Sequence, residues 1–186
     1  MEEDKVQSVN HAFAMGMVAL SLVFLVHVYR WLDGSGHVEV GELAAWSMTI
    51  SQLILAGALV LLGVILHRKG ELLAAFLFFV VGFLELSGGI SLWHGYGSWD
   101  LLLLVLAVVI VVLAVLVLVQ EGYLFGVGML VIAVGYASNA LAAMQSWEVL
   151  ETVSGAAFLV AAVLLIYLGL AIMVNEELED DILPIV

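Results

Sequence analysis

The chain has 186 residues, 65% of them apolar, with 17 acidic residues against four basic ones, a formal net charge of −13 and a mean hydropathy of +1.24. Soluble domains run near 45–50% apolar, so this composition excludes a water-soluble fold and predicts one all-α integral membrane domain whose core forms between helices in lipid. The charge balance excludes nucleic-acid binding, which needs basic surface against phosphate, and the absence of cysteine removes disulfides, thiolate nucleophiles and thiolate metal sites.

A hydrocarbon core about 30 Å thick asks for about 20 apolar residues per crossing. Six such runs predict transmembrane helices at 11–32, 43–66, 72–93, 101–119, 122–145 and 152–174, within a single membrane domain covering 1–186. Residues 1–10 read as an N-terminal tail and 175–186 as an acidic C-terminal tail. The opening MEEDKVQSV is acidic where a secretory leader is positively charged, and the apolar run behind it is longer than a leader's core, so the first helix is expected to be retained.

The basic residues are Lys5, Arg30, Arg68 and Lys69. Placing the short His67–Gly70 turn in the cytoplasm puts three of these four inside and both termini with them, as the positive-inside rule favours. Trp31, Trp46, Trp93, Trp99 and Trp147 then all fall at the outer interface, where an indole satisfies both its apolar ring and its polar N–H. The expected location is a multi-pass protein of the plasma (inner) membrane. Connections placed outside are longer and carry turn-forming Gly34, Gly36, Gly95 and Gly97.

Enzyme signatures are missing: the sequence holds no G-x-S-x-G elbow, no H-E-x-x-H and no phosphate-binding loop. The histidines at 11, 27, 37, 67 and 94 lack metal-ligand spacing, so neither a metal nor another cofactor is expected. Acidic loops with almost no lysine read as solvated segments and also suit a high-salt cytoplasm.

Glu85 is the one carboxylate well inside an apolar run, about 12 Å from the outer end of its helix. An ionised acid there costs on the order of 2.5–3.5 kcal/mol unless it meets water or a partner. Two readings stay open, a proton or solute site in a pore and a hydrogen-bonded packing acid. Its stripe of Ala75, Phe78, Gly82, Glu85 and Gly89 is mostly small, which admits either a neighbouring backbone or a permeating molecule. His27 lies at a comparable depth on the first helix and is a candidate partner. Other polar residues in the runs, Gln52, Asn139 and Tyr136 among them, read individually as packing hydrogen-bonders. Gly126, Gly128, Gly135 and Ala137 on the fifth helix, with Gly155, Ala156 and Ala157 on the sixth, predict close helix contacts.

The closing stretch IYLGLAIMVNEELEDDILPIV carries Ile166, Tyr167, Leu168, Asn175, Glu176, Leu183 and Pro184 at spacings that resemble the last helix and tail of the acetate uptake transporter family, the succinate–acetate permeases. Gly155 fits earlier on the same helix. LGVILHRKG, with Gly63, Lys69 and Gly70, is similar to that family's turn after the second helix, and Phe78 and Gly82 fit its third. The resemblance implies a six-helix subunit, a ring-shaped homohexamer with one pore per subunit, and small carboxylic acids as solutes.

The chain departs from the family pattern at several places. The helix-one motif Asn-Pro-Ala-Pro-Leu-Gly-Leu is met only by NHAFAMG, which keeps Asn10 and Ala12 and loses both prolines, so the helix need not break there. Leu66, Glu71 and Ile172 replace polar family residues. By resemblance the pore constriction of Phe, Tyr and Leu falls on Ala19, Val81 and Ile132, an aliphatic set. The pore candidates are therefore Asn10, Ala12, Ala19, Val81, Glu85 and Ile132.

The expected function is a channel or transporter for small monocarboxylates such as acetate, passing as the neutral acid or with a proton. With no basic residue inside a run except near helix ends, neutral passage is favoured over anion conduction. The alternatives are a channel for another small neutral solute, such as ammonia or a short amide, and a transport-inactive structural membrane subunit. The expected partners are the lipid bilayer, the carboxylic acid solute and other copies of the chain.

Overall fold

The computed structural model describes residues 2–34, 36, 41–94, 100–120, 123–178 and 182–184. Among these, six α-helices follow one another: α1 (Glu2–Gly34), α2 (Glu42–Lys69), α3 (Leu72–His94), α4 (Asp100–Val119), α5 (Tyr123–Gln145) and α6 (Glu148–Leu178). Each is long and apolar enough to cross a membrane. The protein is an all-α, multi-pass membrane protein, and its outer faces expose apolar side chains such as Val105, Val108 and Val112 of α4.

Neighbouring helices pack in the order α4, α5, α6, α1, α2, α3, while α3 and α4 meet over only a few residues. Even crossing number puts both termini and the α2–α3 turn at one end of the bundle, here the terminal end. The α1–α2, α3–α4 and α5–α6 connections lie at the far end. α4 shows how an all-apolar helix is oriented: its buried stripe of Leu106, Ala107, Ile110, Leu113, Ala114 and Val117 steps by three or four and faces its neighbours.

Small residues set the closest approaches. A Cβ on Gly82 would stand 3.0 Å from the backbone oxygen of Ala56, so α2 and α3 touch nearly backbone to backbone there. Gly89 faces Leu53 of α2, so the small stripe on α3 serves helix approach. Gly126, Gly135 and Gly155 receive Leu118, Phe158 and Trp31 respectively, as the close-contact reading expects, whereas Gly128 meets nothing within 4 Å and Ala156 is exposed.

Helix ends follow local chemistry. Gly70 takes the left-handed conformation at φ 94° and its N–H closes the α2 terminus, with His67, Arg68 and Lys69 at the negative end of the helix dipole. α1 extends through most of the segment read as an N-terminal tail, because EEDKVQS contains good helix formers and no proline, although its membrane-crossing part begins at Asn10. α6 likewise overruns its expected 152–174 span at both ends. Trp31, Trp46 and Trp147 sit at the far end as the topology requires, and Trp93 falls in the last turn of α3. Trp99, His37, Gly95 and Gly97 lie outside the described residues.

The C-terminal segment folds back on α6. Asn175 donates from Nδ2 to the Leu183 carbonyl at 2.7 Å and accepts from the Leu183 N–H at 2.8 Å, and the Tyr167 hydroxyl donates to the Pro184 carbonyl at 2.9 Å. These four residues are among those that carry the family resemblance. At the same end His11 of α1 stands 3.7 Å from Glu176 of α6.

Candidate functional site

Glu85 is 3% exposed and sits nine residues from the end of α3, about 13 Å from the far end of the bundle. Its carboxylate is held by three helices besides its own. Tyr136 of α5 donates its hydroxyl to Oε1 at 2.5 Å, Gln52 of α2 donates Nε2 to Oε2 at 2.5 Å, and His27 Nε2 of α1 lies 3.0 and 3.1 Å from the two oxygens. All four residues occupy one layer, because each lies seven to ten residues from the far end of its helix.

This arrangement answers the desolvation problem. A carboxylate taken from water must find replacement donors, and here each oxygen accepts one short hydrogen bond and shares the imidazole. The short contacts fit charge-assisted bonds, which are stronger than neutral ones. The side-chain oxygen of Gln52 is left without a partner, so the cluster is one acceptor out of balance.

Aromatic packing fixes the imidazole. His27 stacks on Phe158 with ring centres 4.9 Å apart, Phe158 stacks on Phe24 at 5.2 Å, and Tyr136 meets Phe158 edge-on at 5.2 Å. Gly135 permits this, since a side chain there would enter the Phe158 ring. Ser154 donates to the Gly135 carbonyl at 3.0 Å and locks α6 against α5 beside the cluster.

A cavity of about 470 Å³ extends from this layer toward the far end. His27, Gln52 and Glu85 form its floor, Arg30, Trp31, Ser91 and Asn139 its walls, and Glu151 stands exposed near its mouth. The His27 imidazole and the Glu85 carboxyl are thus within reach of a molecule in the cavity. Among the described residues no group of three His, Asp or Glu side chains forms a metal-ligand set.

The pore candidates fall at three levels. Glu85 is in the polar layer. Val81 and Ile132 are fully buried one helical turn toward the terminal end from Glu85 and Tyr136, and Ala19, two turns from His27, packs against the same apolar core. Asn10, half-buried, and Ala12, 7% exposed, lie at the terminal end of α1 and are not brought together with Glu85. Arg30, placed by the sequence at a helix end, turns out to line the cavity. Gln52 and Tyr136 were legible only as polar residues inside apolar runs, and their convergence on Glu85 is set by helix rotation.

No protein-family model and no curated protein sequence matches the chain. Its fold is similar to the solved structure of the bacterial acetate channel SatP, with a TM-score of 0.81 and 15% sequence identity, covering 95% of this chain and 98% of that one. The six-helix topology is therefore that of a known membrane channel structure.

Proposed function

We propose that this protein passes small monocarboxylates such as acetate across the membrane, as the neutral acid or together with a proton. The observation that carries this reading is the His27–Glu85 pair, a site for one exchangeable proton at the floor of an open cavity and one turn above the aliphatic residues Val81 and Ile132. A bare carboxylate is excluded from an aliphatic constriction by desolvation, whereas the neutral acid passes at far less cost. A solute carboxylate that takes the proton from His27 Nε2 leaves a neutral imidazole beside the Glu85 carboxylate. A proton taken up from bulk solution through the water of the cavity then restores the imidazolium, so one proton accompanies each acid.

The likeness to an acetate channel supports the scaffold for this role. The ring-shaped homohexamer, the cytoplasmic termini, the plasma-membrane location and the wider pore set of Asn10, Ala12, Ala19, Val81 and Ile132 belong to the same proposal. A second reading, passage of a small neutral solute such as ammonia or a short amide, is favoured by the aliphatic layer taken alone.

Uptake of radiolabelled acetate into proteoliposomes at acid and neutral pH, with Glu85→Gln in parallel, tests the proposal. Saturable flux that rises at acid pH and is lost in Glu85→Gln is expected. Flux of an amide without proton dependence moves the assignment to the second reading, and no flux of either solute from folded protein leaves a structural subunit.

A further inference from the structure

Resting on the monocarboxylate reading, we propose that Arg30 is a docking site where the solute arrives as a carboxylate anion, before it reaches the proton at His27 and Glu85. Arg30 lies one turn nearer the cavity mouth than His27 on the same helix and lines the same cavity. Among the described residues it is the only lysine or arginine at this end of the bundle, since Lys5, Arg68 and Lys69 all belong to the terminal end.

The guanidinium feels the Glu85 carboxylate electrostatically, and its hydrogen bond among the described residues is a long one. That bond goes to Thr49 Oγ1 across 3.4 Å, beyond the usual 2.7–3.2 Å range and weak for a group with five N–H donors. Placing so costly a cation inside a membrane-crossing segment calls for a partner. The charged groups facing the cavity are few. Glu85 from α3 is already engaged by Tyr136, Gln52 and His27, and Glu151 from α6 stands exposed. From α2, α4 and α5 the lining supplies Gln52, Leu103, Asn139, Ala142 and Ala143, none of them charged, and Asp33 lies exposed on α1 itself.

A carboxylate fits this setting. The planar guanidinium fork matches two carboxylate oxygens, and Trp31, Leu103 and Phe158 offer apolar surface to a short alkyl group. The cavity volume lies within the range of small-molecule sites and suits a compact acid. Docking at Arg30 allows the ion that predominates at neutral pH to be gathered first and neutralised one turn deeper. It thereby removes the restriction to acid that is already protonated in bulk water.

Acetate uptake by the wild-type protein, Arg30→Gln and Arg30→Lys at neutral and acid pH, with formamide uptake as a neutral control, tests the inference. Loss of a charge-assisted contact predicts a KM for acetate raised about tenfold or more in Arg30→Gln at neutral pH. Arg30→Lys should stay nearer wild type, and formamide flux and acid-pH acetate flux should change little. An unchanged KM, or an equal loss at both pH values and for formamide, overturns the docking role while the transport reading stands. Absence of acetate flux from the wild-type protein sinks both.

A second measurement needs no variant. The chain has two arginines, Arg30 and Arg68. Phenylglyoxal labelling followed by mass spectrometry should show acetate protecting Arg30 and not Arg68, and equal labelling with and without acetate overturns the proposal.

Discussion

Tyr136 and Glu85, 51 residues apart in sequence, meet in a 2.5 Å hydrogen bond at the polar layer of the bundle. Both are buried, so the hydroxyl has no water to fall back on when its partner is removed. Tyr136→Phe leaves the ring packing against Phe24 and Phe158 and deletes only the donor. The expected cost is about 1–3 kcal/mol, read as a lower thermal unfolding temperature in detergent. Glu85→Leu should cost more than Glu85→Gln, because leucine strands the donors of Tyr136, Gln52 and His27 together whereas glutamine still offers an acceptor.

Ala143 lines the cavity from α5 and is itself exposed, so a larger side chain there has space to occupy without displacing the core. Ala143→Trp should bring acetate uptake down toward the level of empty liposomes while the elution volume and unfolding temperature stay near those of the parent protein. Flux at the parental rate would mean that the solute does not pass through this cavity.

How far the sequence discloses this architecture depends on which physical rule is in force. Six crossings were legible because lipid demands about 20 apolar residues per helix whatever the neighbours are. The overrun of α1 to Glu2 was not, since acidic helix formers outside the membrane look like a tail to any apolarity rule. The depth of Glu85 and of His27 could be counted along their helices. The convergence of Gln52 and Tyr136 on the same carboxylate could not, because helices that are apolar on nearly every face carry no stripe to fix their rotation. Their inward faces are chosen instead by close approaches such as Gly82 on Ala56 and Phe158 on Gly135.

Gly155 and Trp31 give a direct test of that packing logic. The indole of Trp31 lies where a Gly155 side chain would be, and both residues line the cavity wall. Gly155→Val forces the indole out of its seat, an overpacking change of about 1–3 kcal/mol. Thermal unfolding should fall by a corresponding amount, and the tryptophan emission spectrum should shift as Trp31 changes environment. An unaltered spectrum together with unaltered stability would show that α1 and α6 do not approach as closely as the structure has them.

Asn175 holds the chain end in place through both polar atoms of its amide. It is 8% exposed, and its two hydrogen bonds to the Leu183 backbone replace the pairing that a strand or helix would otherwise provide. Asn175→Ala removes both bonds and leaves the Leu183 N–H and carbonyl to water, with an expected loss of about 1–2 kcal/mol. Asn175→Asp keeps the acceptor for the Leu183 N–H but turns the donor into a second acceptor facing the Leu183 carbonyl, so it should behave nearly as badly. Tyr167→Phe, which releases only the Pro184 contact, should be milder. Limited digestion with carboxypeptidase should rank the variants in that order. Acetate flux should be nearly unchanged in all three, because the clasp lies at the opposite end of the bundle from the cavity. Flux that falls in step with tail release would instead tie the C-terminal segment to the conduction path.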